Sequence, residues 1–144
     1  MRMTVAPDGK GSAAQWVESQ FHEFVKRARS KSYQRRLGFL CVIDGDHEGF
    51  SPRKARLSES RADAARIAIW VPTWSIETWV WWLSSRDGIV DDSFERRSLR
   101  DRVTPRWSRL LPIAADRFLE IDEREEELAP SLTDARSELR RLPM

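Results

Sequence analysis

Two short, uninterrupted apolar runs constrain this chain more than any other feature. Gly38-Phe39-Leu40-Cys41-Val42-Ile43 ends at Asp44, and Ile67-Ala68-Ile69-Trp70-Val71 is stopped by Pro72. Neither run alternates with polar residues, and each is short, so each predicts a strand buried on both faces, as in a parallel sheet. Around them the periodicity is helical. Ala14, Val17, Phe21, Phe24, Val25 and Ala28 recur on one helix face, with Ser12 as the expected cap. Ser51-Pro52 reads as an N-cap followed by proline at the first helical position, opening a charged helix or loop-helix to about Ala65. Ser75 caps a further helix in which Ile76, Trp79, Val80 and Leu83 mark one face while Trp81 and Trp82 fall outside it. A helix apolar nearly all round has to be sandwiched. The C-terminal segment or another chain is the expected cover, so Trp79–Trp82 is a place for a homo-oligomer or partner chain.

Met3–Ala6 adds a weakly determined first strand, followed by the turn residues Pro7-Asp8-Gly9-Lys10-Gly11. The order strand, helix, strand, helix, strand, helix predicts an α/β fold with a small parallel sheet flanked by helices. Residues 1–92 form the expected α/β core, and 93–144 a helical C-terminal extension packed on the same domain. Its last helix carries Leu132, Ala135, Leu139 and Leu142 and is introduced by Ser131 and Asp134 at capping-box spacing. A chain of 144 residues buries roughly 68–70% of its extended surface, enough for a core without staples. The single cysteine, Cys41, excludes an internal disulfide or a cysteine-rich zinc site and reads as core. The longest apolar stretch, Ile67–Pro72, is far below the ~18 residues of a membrane span. Met1–Gly11 lacks the apolar core of a signal peptide, so the expected location is cytoplasmic.

Charge is balanced in total and uneven in place. The formal net charge is +2, yet Lys26, Arg27, Arg29, Lys31, Arg35 and Arg36 form one basic run. Arg96, Arg97, Arg100, Arg102, Arg106 and Arg109 form a second, and Glu120, Asp122, Glu123, Glu125, Glu126 and Glu127 reverse the sign. Such segregation suits a phosphate-rich partner and equally describes solvated helix faces. The residues expected to touch nucleic acid are Lys10, Arg27, Arg29, Arg35, Arg36, Arg53 and Arg97, with Trp74 and Trp107 as surface stackers for bases. Lys10-Gly11-Ser12 opens a helix as an anion site would, without the spaced upstream glycine of a P-loop.

Chemistry concentrates in Asp44-Gly45-Asp46-His47-Glu48-Gly49, at the carboxyl end of the first apolar run. Ligands of open α/β sheets bind beyond the strand C-termini. Two carboxylates one residue apart on such a turn can hold a hard cation, Mg²⁺ or Mn²⁺, with Glu48 as a further ligand. The plain alternative is an Asp-Gly turn whose aspartates satisfy backbone amides. Glu77, in the first turn of the next helix, leaves the sheet on the same edge and is a third acidic candidate. His47 is a possible ligand or proton carrier, and His22 reads as a solvated flank residue. An EF-hand is excluded because its last ligand position is Ala55 and a strand precedes the loop. An aspartate-nucleophile phosphatase of the haloacid-dehalogenase pattern would use Asp44, Asp46 and Asp91/Asp92, but wants Thr or Val where Glu48 stands.

Leu40–Asp46 taken with Arg66–Leu83 resembles the topoisomerase–primase (Toprim) fold, and within it the small Toprim-like proteins related to the overcoming-lysogenization-defect nucleases. The shared pattern is an Asp-x-Asp after a strand, a helix, another strand, and a helix start like Ile76-Glu77-Thr78-Trp79. The tail Pro130-Ser131-Leu132 through Glu138-Leu139-Arg140-Arg141-Leu142 is also similar. About half of the chain is covered. The resemblance implies an Mg²⁺-dependent site acting on phosphodiesters, with Asp44 and Asp46 as metal-binding aspartates. Catalytic Toprim domains also carry a glutamate after an earlier strand. Met3–Ala6 would match the family's second strand, leaving that glutamate without a counterpart. Either a partner chain supplies it, Glu77 substitutes for it, or the domain is a non-catalytic module that binds nucleic acid or protein in a defence or repair system.

Overall fold

A computed structural model describes residues 13–31, 33–34, 36–46, 48–62, 66–85, 102–122 and 128–143. The expectations for Met3–Ala6, Lys10, Gly11, Ser12, Arg35, His47, Asp91, Asp92 and Arg97 lie outside these residues. Helix α1 (Ala13–Ser30) leads to strand β1 (Phe39–Val42), helix α2 (Phe50–Arg61), strand β2 (Ile67–Trp70) and helix α3 (Ile76–Ser85). A 3₁₀ turn (Thr104–Arg106) then opens helix α4 (Trp107–Glu120), and helix α5 (Pro130–Leu139) follows. The strands pair in parallel, Phe39 opposite Ile67 and Val42 opposite Trp70, with α2 as the crossover. The α/β class, the small parallel sheet and the helical C-terminal segment are therefore present.

The sheet divides the apolar residues into two clusters because side chains alternate across a strand. On one face Phe21 and Val25 of α1 and Leu57 of α2 pack with Cys41, Ile43, Ile67, Ile69 and Val71. On the other, Trp79, Val80 and Leu83 of α3 meet Leu110, Ala114 and Phe118 of α4 and Leu132 and Ala135 of α5. Trp70 joins this second cluster, with ring centroids 6.3 Å from Trp79 and 5.2 Å from Phe118. Arg136 of α5 ties the layer together, donating to Phe118 O and, at 2.9 Å, to Ile121 O. The C-terminal helices thus cover the tryptophan-rich α3, and Trp107 also packs on this cluster. Cys41 is core as expected, its thiol pushed up to about 12 by burial and then by Glu18.

Four local expectations need correction. Strand β1 is buried on one face only: Leu40 and Val42 are 45% and 39% exposed. The reason is that the second helical layer packs on β2, through α5 and Trp70, and leaves the matching face of β1 open. Helix α2 starts at Phe50, with Gly49 as N-cap and no side-chain cap, so Pro52 sits within the first turn. It ends at Arg61, where Ala62 takes φ +50°, instead of near Ala65. Ser131 and Asp134 form no capping box, since α5 begins earlier, after Ala129. Their side chains have other partners: Ser131 Oγ accepts from Trp79 Nε1 at 3.1 Å, and Asp134 pairs with Lys54 at 2.5 Å.

Candidate functional site

Both strands end in one tight corner, and Gly45 is why they can. Gly45 N donates to Pro72 O at 2.9 Å and Asp46 N donates to Trp74 O at 3.0 Å. A Cβ on Gly45 would stand 2.7 Å from Pro72 O and closer still to Thr73 O. Only glycine allows the backbones to meet this closely. The turn then bends through Asp46, at φ +50°, and Gly49, at φ +83°. A non-glycine residue in the left-handed region is uncommon, and aspartate is among those that tolerate it best.

The three acidic candidates of the corner have different surroundings. Asp44 is half-buried, and its Oδ1 accepts from Ile76 N at 2.9 Å. It therefore caps α3 and places negative charge at the positive end of the helix dipole. Ser75, the expected cap, is buried, and its carbonyl accepts from Thr78 N at 3.1 Å. Asp46 is half-exposed, with Oδ2 4.0 Å from Arg53 Nη1. Glu77 follows Ile76 directly, partly buried in the first turn of α3. These residues stand at the carboxyl edge of the sheet, where ligands of α/β proteins bind.

Glu48 is committed elsewhere. It accepts from Arg56 Nη2 at 2.8 Å and from Arg56 Nη1, and lies 3.2 Å from Arg53 Nη2. Hydrogen bonding to Arg56, helped by the charge of Arg53, holds its carboxyl below the usual range. Glu48 can reach a cation only by releasing these arginines. Arg56 also binds Glu18 of α1 at 2.7 Å and 3.1 Å, and the two glutamates raise its own pKa.

Arg53 is no surface contact for phosphate. It is 6% exposed, donates to Asp44 O and Gly45 O, and lies 3.5 Å from Glu18. A buried guanidinium that satisfies turn carbonyls is a scaffold for the corner. Sequence reasoning missed Glu18 and Arg56 as parts of this network. The signal was present in the arginine pair three residues apart on α2, directly after the acidic turn. Arg27, Arg29 and Arg36 are exposed, as surface cations should be, and so is His22; Trp74 is partly buried.

Among the described residues, no group of three or more His, Cys, Asp or Glu is arranged to hold a metal ion. Among the same residues, no helix is long and apolar enough to cross a membrane. Comparisons with family models, with curated proteins and with solved structures found no match.

Proposed function

We propose that this chain is a Toprim-like, Mg²⁺-binding protein acting on nucleic-acid phosphodiesters, with Asp44 and Asp46 as its acidic pair. The observation that carries the reading is the corner itself. Backbone hydrogen bonds from Gly45 and Asp46 to Pro72 and Trp74, and the bond from Ile76 N to Asp44, bring the Asp-x-Asp turn and the start of α3 together. The donor set is all oxygen, which suits a hard cation. Mg²⁺ keeps several waters and uses one or two carboxylates plus substrate phosphates, so Asp44 and Asp46 suffice in number. Glu77, in the first turn of α3, is the further carboxylate that would take the place of the family's missing glutamate. A bound Mg²⁺ would supply charge stabilisation for the phosphate oxygens. Asp44 would hold its orientation through the Ile76 amide, and Arg53 would keep the turn carbonyls in place.

The test is calorimetric titration of Mg²⁺ and Mn²⁺ into wild type and Asp46→Asn, followed by cleavage assays on single-stranded and duplex DNA and RNA. Asp46 is the better target because Asp44 also caps a helix. Loss of binding and cleavage in Asp46→Asn, with an unchanged melting curve, is the expected outcome. Full activity in that variant sinks the metal role.

A second reading has its own observation. Glu48 and Glu18 are held by arginines, and Asp44 by an amide, as a turn built for shape alone would have them. On that reading the chain is a non-catalytic binding module, and wild type fails to bind either metal.

A further inference from the structure

The cations at the opposite end of the sheet are arranged differently. Lys54, Arg53, Arg56 and Arg61 all engage carboxylates. Arg27, Lys31 and Arg36 pair with no carboxylate among the described residues. They belong to a stretch between Glu23 and Asp44 that holds six cations, Lys26 to Arg36, and no acidic residue. Lys26 lies 3.5 Å from Glu23, one turn before it on α1.

The same stretch shapes a recess. Lys31 N donates to Arg27 O at 3.1 Å, Gln34 N to Lys31 O at 2.9 Å, and Leu37 N to Gln34 O at 3.0 Å. These successive turns hold the connection from α1 to β1. A shallow recess open to solvent lies there, lined by Tyr33, Gln34, Arg36 and Leu37. Tyr33 is 74% exposed, although most tyrosines bury the ring. Gln34 Nε2 donates to its hydroxyl at 3.1 Å, which orients the ring without covering it.

Two distant segments reinforce this end. Arg66, just before β2, donates to Gln34 O at 2.6 Å. A Cβ on Gly38 would meet Pro143 Cδ at 2.7 Å and Leu142 Cδ2 at 3.0 Å, so the C-terminal turn packs directly on the start of β1. That turn carries the exposed Arg140 and Arg141, the latter 3.5 Å from Glu138. The basic stretch Lys26–Arg36 thus includes one exposed, oriented aromatic ring, Tyr33.

We infer that this amino end of the sheet binds single-stranded nucleic acid, with a base stacked on Tyr33 and phosphates on Arg36, Arg27 and Lys31. Stacking on an exposed ring beside a basic track is how proteins hold single strands without reading sequence. The inference rests on the nucleic-acid partner proposed above and names where that strand is held. Strand β1 separates this site from the acidic turn, and none of its residues is a proposed metal ligand, so its test is made in EDTA.

The experiment is fluorescence anisotropy with a fluorescein-labelled oligothymidylate at low ionic strength, on the full chain. Tyr33→Ala is expected to weaken binding about tenfold, equivalent to ~1.4 kcal/mol, while Tyr33→Phe binds as wild type does. Arg36→Ala is expected to weaken binding and lower the slope of log affinity against log salt by ~0.7. Both side chains are exposed, so the variants should melt as wild type does. Undiminished affinity in Tyr33→Ala, or no binding by wild type, overturns the inference. Metal binding by Asp44 and Asp46 is read separately, so either proposal can fail while the other stands.

Discussion

Helix α2 buries two arginines, one near each end, and they do different things. Arg53 is 6% exposed and Arg61 5%. Arg53 faces a turn: its partners are the carbonyls of Asp44 and Gly45 and three carboxylates that are partly solvated. Arg61 faces a closed cluster. It donates to Glu138 through two nitrogens and to Ile67 O at 3.0 Å, while Ile69 N donates to the same Glu138 at 3.0 Å. Lys54 completes the cluster, 3.1 Å from Glu138, 2.5 Å from Asp134 and 3.1 Å from Ile69 O. One arginine leaves its acidic partners within reach of solvent, and hence of a ligand. The other spends its charge entirely on holding α5 against β2. Burial of a charged residue therefore does not mark function; what its partners face does.

Three experiments break or sharpen this contrast. Arg61→Ala leaves Glu138 buried without its main partner, and removing one member of a buried pair costs ~3–5 kcal/mol. Urea denaturation should show that loss, and the combined change Arg61→Leu/Glu138→Leu should recover part of it, the remainder reflecting Ile69 N, which loses its acceptor. If the double variant is as unstable as the single one, the cluster does more than neutralise itself. Arg53→Ala should cost less, ~1–3 kcal/mol, the penalty for leaving the Asp44 and Gly45 carbonyls short of a donor. It should also change metal titration at the turn, where Arg61→Leu/Glu138→Leu should not.

The smallest effect is on pH. Burial works to raise the Glu138 pKa, but the Arg61 hydrogen bonds, the Ile69 amide and Lys54 outweigh it and hold it below the usual range. A depressed carboxyl pKa contributes stability above the unfolded value of ~4.3 and loses it as pH falls through the folded value. The urea midpoint should therefore be flat near neutrality and fall in acid. Glu138→Gln should flatten part of that fall, and an unchanged acid profile would remove Glu138 from the account.

The strands and α1 were legible because their signals are local. An unbroken apolar run and a helical stripe at Val17, Phe21 and Val25 need no knowledge of the rest of the chain. Leu40 and Val42 sit in an apolar run like that of their register partners Ala68 and Trp70, yet Leu40 is half-open and Ala68 sealed. The difference lies in which strand the C-terminal helices cover, and no short window encodes that. The acidic corner was legible as residues and as a place in the fold, but not in its bonding. Asp44 as the cap of α3 depends on a partner 32 residues away, and Lys54 with Asp134 on one 80 residues away. The Ser131/Asp134 spacing misled for the same reason: Trp79 and Lys54, both remote in sequence, claimed those side chains.

The Glu138 cluster has a further consequence for how the molecule behaves in a crowd. The polar groups of Ile67 and Ile69 that point away from β1 bond to side chains of Arg61, Lys54 and Glu138, as a neighbouring strand would bond to them. An exposed strand margin with idle amides is a template for edge-to-edge aggregation. Here Ile67 O, Ile69 O and Ile69 N are already held by charged groups fixed in a buried frame, so at these positions β2 has nothing left to pair with the strand of a second molecule.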